Sequence, residues 1–338
     1  MKHRCFDISR FSTMSDSWKR LLCKSNELQL TGTLNGGQSF RWKSRVSEGT
    51  EEWIGVFKNL LWILKQEDDC ILYKVYGKES DCDQDCEKLL KDYLRLDLNL
   101  EMYYQQWSEK DNYFKDAAKK FYGIRLLNQD VTENIFSFIC SSNNHITRIS
   151  SMVEKMAKFY GHKIYELDDE TYYSFPEAEV LANEDVEYRL RDNGFGYRSK
   201  YICKSAQTIM ENGGKSWLEA LKKMEYPEAK SKLMTLPGVG AKVADCICLM
   251  SLGHLQAIPV DTHVYQIARR IYMPKLPQQK TITSKVYEEI GEYFRGLYGP
   301  LAGWAHTVLF CADLKKFQEY NSKYNENSAP NKKQKMNY

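Results

Sequence analysis

No apolar run in this chain approaches the roughly 18–20 residues that a membrane-spanning helix needs, so no membrane partner is expected. An excess of charge of either sign is also lacking. Lys and Arg number 48 against 45 Asp and Glu, and the net charge of +3 does not by itself announce a nucleic-acid partner. Clustered metal ligands are absent too. The ten cysteines are scattered, Cys82 and Cys86 lie four apart without a second Cys/His pair at zinc-like spacing, and Cys311 stands alone, which argues against an iron–sulfur cluster near it. Reduced thiols in an intracellular compartment and no metal centre are therefore expected. The N-terminal MKHRCFDISRFSTMSDSWKRLL has too small an apolar core for a secretory signal. Its basic, Ser/Thr-bearing character fits a short mitochondrial presequence, against which Asp7 and Asp16 count. There is no internal repeat.

What is present is an ordinary globular composition, 43% hydrophobic and 28% charged over 338 residues, long enough for two or three domains. From about residue 19 to 105 the patches LQLTGTL, SFRWKS, WIGVF, LLWILKQ and CILYKVYG are short, aromatic or β-branched, and broken by glycine or charged turns. They predict strands of an antiparallel sheet, with one helix around CEKLLKDYLRL capped by Asp85. From about residue 106 the period changes. FKDAAKKFY, ENIFSFICSS, ITRISSMVEKMAKFY, SKYICKSAQTIMENG and SWLEALKKM repeat apolar residues at helical spacing, with Gly161, Gly194, Gly213 and Gly214 as caps or turns. The expected fold class is α+β, an N-terminal antiparallel β-sheet domain followed by a larger all-helical region. The expected divisions are an extension at 1–18, a β-rich domain at 19–128, a helical domain at 129–320 and a disordered basic tail at 321–338, whose NKKQK reads as a nuclear signal.

The chemistry concentrates in LPGVGAKVADCICLM, residues 236–250. YPEAKSKLMTL predicts a helix with Pro227 in its first turn, PGVG a turn too tight for anything but glycine, and AKVADCICLMSL a second helix. The amides and dipole at the start of that second helix suit a phosphate, so such a hairpin grips a nucleic-acid backbone without reading its sequence. The alternative is a purely structural αα-hairpin. Lys242 stands at the mouth of an otherwise apolar helix. Unless it reaches an opening it is desolvated, which lowers the pKa of an amine and leaves a nucleophile able to form Schiff bases. The competing reading has Lys242 reaching solvent or pairing with Asp245 at i+3. Downstream, Asp261 in IPVDTHVYQIARRIY occupies an N-cap position. From there its charge can also stabilise a cationic transition state, such as an oxocarbenium ion at a sugar carbon.

LPGVGAKVAD, followed by the aspartate of PVDTHV nineteen residues after Lys242, resembles the helix-hairpin-helix DNA glycosylases that carry Gly/Pro and a catalytic Asp. GGQSFRW, FSFICSSNN, GYRSKY, KVADCICLM and GWAHTVLFCADL extend the match, over roughly residues 19–315, to the eukaryotic 8-oxoguanine DNA glycosylase/lyases. The resemblance implies base-excision repair of 8-oxoguanine opposite cytosine in double-stranded DNA. Lys242 would attack C1′, Asp261 would support it, and the Schiff base would allow β-elimination. The flipped base would lie between Cys246 and Phe310, with Met250 and residue 306 in the same pocket, and the Gly37 carbonyl would accept from the N7–H that guanine lacks. Cys246 follows Lys242 by four residues, so both fall on one helical face. Asn143, Arg148 and Arg198 would read the opposite cytosine and Tyr197 would wedge into the duplex. Gly238, Gly240, Val243 and His263 would meet phosphates. No redox or organic cofactor is implied, only an optional structural cation on the hairpin carbonyls. A monomer acting in the nucleus, and also in mitochondria, completes the expectation.

One position departs from the family pattern, which has Gln where this chain has His306. Neutral His offers one donor and one acceptor in a different geometry, and His⁺ only donors, so activity is expected to depend on pH near the His pKa. His306→Gln is expected to preserve or improve excision. Two other functions share the hairpin: a monofunctional glycosylase that activates water with the Asp and has no need of Lys242, and a non-catalytic DNA-binding module.

Overall fold

The computed structural model describes residues 17–77, 85–279 and 281–314. The basic tail, most of the N-terminal extension, Cys5 and Cys82 lie outside the described residues. Strands β1 (Lys19–Leu22), β2 (Trp42–Ser47), β3 (Thr50–Phe57), β4 (Leu60–Gln66) and β5 (Cys70–Tyr76) form an antiparallel sheet in the order β1-β5-β4-β3-β2. β3 and β4 are apolar on both faces. Ile54 opposite Ile63 and Val56 opposite Leu61 point one way; Trp53 opposite Leu64 and Phe57 opposite Leu60 point the other. Such strands need cover on both sides. Helices α1 (Leu30–Asn35) and α2 (Cys86–Leu94) pack on the second face through Leu30, Leu34, Leu90 and Tyr93. The Asp85 carboxylate accepts from the Lys88 N–H, capping α2 as its sequence predicts.

Two expectations are corrected here. LQLTGTL is not a strand: from Leu30 it is helical, because Leu30 and Leu34 fall one turn apart on the face packed against the sheet, and that packing overrides the β preference of its threonines. The helical region is also not wholly helical. A two-stranded hairpin, β6 (Lys163–Leu167) and β7 (Glu170–Tyr173), lies against the first face of the sheet. Ile164 is buried there and the Tyr165 ring stacks on Tyr76 at 4.7 Å. Strand β1 was not foreseen either. It buries only Leu21 and gains its conformation by pairing with β5.

The remaining elements are helices. They comprise α3 (Leu100–Lys110), α4 (Asn112–Ala118), α5 (Val131–Ser141), α6 (Ile146–Tyr160), α7 (Ala178–Leu181), α8 (Glu184–Leu190) and α9 (Arg198–Glu211). They continue as α10 (Lys215–Leu221), α11 (Tyr226–Leu233), α12 (Ala241–Ser251), α13 (Thr262–Ile267), α14 (Ser284–Tyr298) and α15 (Ala302–Asp313). α12 runs through the middle of their core, every residue from Val243 to Ser251 being buried. The buried guanidinium of Arg41 joins sheet to helices, donating from Nε to Glu154 on α6 (2.7 Å) and from Nη2 to the Tyr173 carbonyl on β7 (2.6 Å). Of the eight described cysteines all but Cys23 are buried, as small apolar side chains.

Candidate active site

The hairpin forms where its sequence predicts it. α11 begins with Pro227 in its first turn, the chain turns through residues 234–240, and α12 starts at Ala241 with Gly240 as N-cap. The two glycines do different work. Gly238 has φ +83° and a Cβ there would lie 2.7 Å from the Tyr201 ring, so this position requires glycine. Gly240 has φ −91° and a Cβ there would meet nothing, which corrects the expectation that the whole turn admits only glycine. Gly240 brings no side-chain oxygen to cap the helix, so the first-turn amides remain for an outside acceptor. Gly238→Ala is therefore expected to cost about 1–3 kcal/mol of stability. Gly240→Ala should leave stability nearly unchanged and weaken DNA binding by crowding the approach of a phosphate. Urea denaturation and a duplex-binding titration on both variants check this, and equal stability losses would refute the distinction.

Beside the hairpin lies a cleft of about 60 Å³ at the junction of sheet domain and helices. Its walls are Gly36 to Gln38 after α1, Phe138 of α5, Lys242, Cys246, Leu249 and Met250 of α12, Pro259 and Asp261 before α13, and His306, Thr307 and Phe310 of α15. Larger depressions of about 1010 and 570 Å³ are open, mixed-charge surface clefts that contain none of these groups. The small cleft therefore brings together Lys242, Asp261, Gly37, Cys246, Met250, His306 and Phe310, all singled out from the sequence.

Lys242 is half-buried and its ammonium sits 5.0 Å from the centre of the Phe138 ring. It is not the partner of Asp245, whose ion-pair partner is Lys230 at 3.1 Å. The Asp261 carboxylate accepts from the Val264 N–H at 2.9 Å and also lines the cleft, so it is at once N-cap and site residue. Burial pushes the Cys246 thiol up to about 11, the charge of Lys242 opposing, so it stands in the wall as a neutral apolar group.

His306 is buried, with no hydrogen-bond partner on Nδ1 or Nε2 among the described residues. Burial drives its pKa down to about 4, the neighbouring charge of Asp261 opposing. The ring is thus neutral near pH 7 and carries one donor and one acceptor. Titration in the neutral range, expected from the sequence, is displaced to acid. The sign is fixed by linkage: an unfolded His takes up a proton near pH 6.5 and the native one does not until about pH 4, so this residue costs stability as pH falls through that window. His306→Gln should remove about 3 kcal/mol of acid sensitivity between neutral pH and pH 4 relative to wild type. Denaturant titrations at the two pH values measure it, and identical acid sensitivity in both proteins would refute a desolvated imidazole.

The Gly37 backbone has φ +81°, open to glycine, and turns beside Phe310. Gln38, missed in the sequence, anchors this loop. Its buried amide accepts from the Leu127 N–H (2.9 Å) and donates to the Arg125 carbonyl (2.8 Å), while Gln129 donates to the Gln38 carbonyl (2.8 Å). Its only sequence signal is a polar amide inside GGQSFRW. Phe138 was also missed as a site residue, because its apolar spacing is that of any core helix.

A second cluster forms around residues 142–143 and 194–198. Asn143 is exposed with φ +46°, just past the end of α5, so it does not cap a helix start; His145 does that for α6. Arg148, also exposed, donates to the Gly194 carbonyl at 3.1 Å. Tyr197 is 47% exposed, enough for a wedge, with its hydroxyl on the Ser142 carbonyl at 3.2 Å. Arg198 differs from expectation in being buried, its guanidinium spent on the Ser142 and Asn143 carbonyls at 2.5 and 3.0 Å. It braces the loop that presents Asn143. His263 is exposed beside Phe310, their ring centres 6.1 Å apart. Of the hairpin carbonyls proposed for a cation, those of Leu236 and Pro237 already accept from the Val239 N–H and the Ser205 hydroxyl, so a cation would share them.

Comparison with known proteins identifies the family. Residues 20–135 match the family described as 8-oxoguanine DNA glycosylase, N-terminal domain. Residues 136–292 match the HhH-GPD superfamily base excision DNA repair proteins. The N-glycosylase/DNA lyase OGG1 of Arabidopsis thaliana is 39% identical over 306 residues, covering 89% of this chain and 82% of its own. The N-glycosylase/DNA lyase of Saccharomyces cerevisiae is 32% identical over 336 residues, 89% of this chain and 87% of its own. Among solved structures, MBOgg1 in complex with a low-affinity DNA ligand superposes with a TM-score of 0.77 at 28% identity, covering 92% of this chain and 99% of its own. The Clostridium acetobutylicum 8-oxoguanine glycosylase/lyase, bound to double-stranded DNA with cytosine opposite 8-oxoguanine, gives 0.74 at 25% identity over 94% of this chain and 100% of its own. With both halves matched and a relative 39% identical over 89% of this chain, the chain belongs to the helix-hairpin-helix 8-oxoguanine DNA glycosylase/lyase family.

Proposed function

We propose that this protein excises 8-oxoguanine lying opposite cytosine in double-stranded DNA and then cuts the strand at the same nucleotide, acting as a monomer. The observation that carries this reading is the placing of one amine, Lys242, and one carboxylate, Asp261, at a narrow apolar cleft beside the phosphate-binding turn. A base can reach such a cleft only by leaving the helical stack. The flipped purine would slide between Cys246 and Phe310, with the Gly37 carbonyl facing its N7–H and neutral His306 facing another edge. The Lys242 amine would attack C1′ as the glycosidic bond breaks and the base departs with the bonding electrons. Asp261 would offset the positive charge developing on the sugar. Loss of a proton from the amine and opening of the sugar ring at O4′ then give a Schiff base. Removal of a C2′ proton expels the 3′ phosphate by β-elimination. The covalent chemistry on this reading is the lysine's own, and a cation on the hairpin would serve only to brace it.

The second cluster fits the other strand. Tyr197 would fill the gap left by the flipped nucleotide, with Asn143 and Arg148 reaching the orphaned cytosine and Arg198 bracing or joining them. Gly238, Gly240, Val243 and His263 would hold the phosphates on either side. Action on nuclear DNA is consistent with NKKQK, and the N-terminal composition extends the proposal to mitochondria.

Borohydride trapping on a duplex with 8-oxoguanine opposite cytosine, against the same duplex with guanine, tests this. A damage-dependent covalent adduct with strand cleavage is expected. Base release without an adduct would replace this reading with a monofunctional glycosylase, and DNA binding with neither would replace it with a binding module.

A further inference from the structure

Asp245 lies three residues after Lys242 on α12, wholly buried and outside the cleft. Its Oδ1 accepts from the Tyr226 hydroxyl of α11 at 2.7 Å; its Oδ2 accepts from the Tyr287 hydroxyl of α14 at 2.5 Å and pairs with Lys230 at 3.1 Å. Burial pushes this carboxyl up, while Lys230 and the two tyrosine hydroxyls pull it down. A buried charged knot of this kind is a poor way to add stability, since a well-packed apolar cluster does as well or better. What it adds is a fixed geometry. The Tyr287 oxygen, its proton engaged by Asp245, accepts the Val260 N–H at 3.3 Å. Val260 is the residue immediately before Asp261. A continuous path therefore runs from Lys242 along α12 to Asp245, across Tyr287, and into the backbone that delivers Asp261.

We infer that Tyr287, oriented by Asp245, is a positioning residue that sets the separation of Asp261 from Lys242 without touching the substrate. Each of its three hydrogen-bond partners, the Ile258 carbonyl at 3.3 Å included, lies within three residues of one of the two reacting side chains. Tyr226 offers the contrast. It holds the same carboxylate, through the other oxygen, but has no bond to the Val260 turn.

The inference rests on the catalytic roles proposed for Lys242 and Asp261, and wild-type excision is its internal control. Single-turnover excision of 8-oxoguanine, affinity for a duplex with a non-cleavable abasic analogue, and the thermal midpoint are measured for wild type, Tyr287→Phe, Tyr226→Phe and Asp245→Asn. Tyr287→Phe is expected to slow excision about 10- to 100-fold while leaving affinity within about twofold, because the misplaced group acts in the transition state and not in binding. Asp245→Asn, equal in volume, should slow it in the same direction. Tyr226→Phe should lower the thermal midpoint comparably yet excise near the wild-type rate. Excision by Tyr287→Phe at the wild-type rate, or equal slowing by Tyr226→Phe, would overturn the inference and leave the knot a structural one. Absence of excision by wild type would instead overturn the catalytic reading beneath it.

Discussion

Lys242→Gln is expected to abolish the borohydride-trapped adduct and to lower excision of 8-oxoguanine by at least about 1,000-fold, with the protein folded and still bound to DNA. The amide of glutamine is neutral, nearly as long as the amine and not nucleophilic, so what it removes is the bond-forming group. Glutamine is almost as good a helix former as lysine. Lys242 is only half-buried, in the first turn of α12, with its ammonium over the face of the Phe138 ring and close to the Cys246 thiol. Stability should therefore change by less than about 1 kcal/mol. Electrophoresis of the trapped complex, single-turnover kinetics and a denaturant titration check the three parts separately. An adduct that survives the substitution would move the chemistry to another amine.

Asp261→Asn is expected to lower excision by about 100- to 1,000-fold with almost no loss of stability. Asparagine caps helices about as well as aspartate does, so the bond now made to the Val264 N–H at 2.9 Å persists and α13 starts where it did. The negative charge does not persist, and it is the charge that opposes positive charge on the sugar. Asp261→Ala removes both, and should add about 1 kcal/mol of destabilisation to the same loss of rate. Comparing the two variants separates the cap from the chemistry. If Asp261→Asn excises normally while Asp261→Ala does not, Asp261 serves only to begin a helix. Loss of the carboxylate also removes the charge that opposes the downward shift of His306, so this variant should hold that ring neutral to still lower pH.

Local pattern carried much of this molecule because some of its features are decided by near neighbours. Alternating and continuous apolar runs announced β2 to β5, and the three- and four-residue period announced the long helices. Asp85 and Asp261 revealed themselves as caps because a cap acts within one turn of its own residue. The i, i+4 spacing of Lys242 and Cys246 put both on one helical face, and the cleft contains both. The α1 segment misled because six residues with two threonines carry no decisive period; packing of Leu30 and Leu34 under the sheet decided it. The β6–β7 hairpin was hidden for a related reason. Its strands are four and five residues long, and what stabilises them is the exposed apolar face of a sheet folded from residues a hundred positions earlier.

By itself, the sequence determined the sheet-then-helices order, the glycine-rich hairpin, and the residue types from which a lysine-based excision site could be made. Tertiary structure alone decided that Gly37, Lys242, Asp261, His306 and Phe310, drawn from four separate segments, would line one cleft. It alone decided that His306 would be neutral, Arg198 buried and Asp245 tied to Tyr287. The physical reason is range. Periodicity, caps and turns are settled by groups within a few residues, whereas desolvation, and the pairing of groups far apart along the chain, exist only once the packed elements have excluded water.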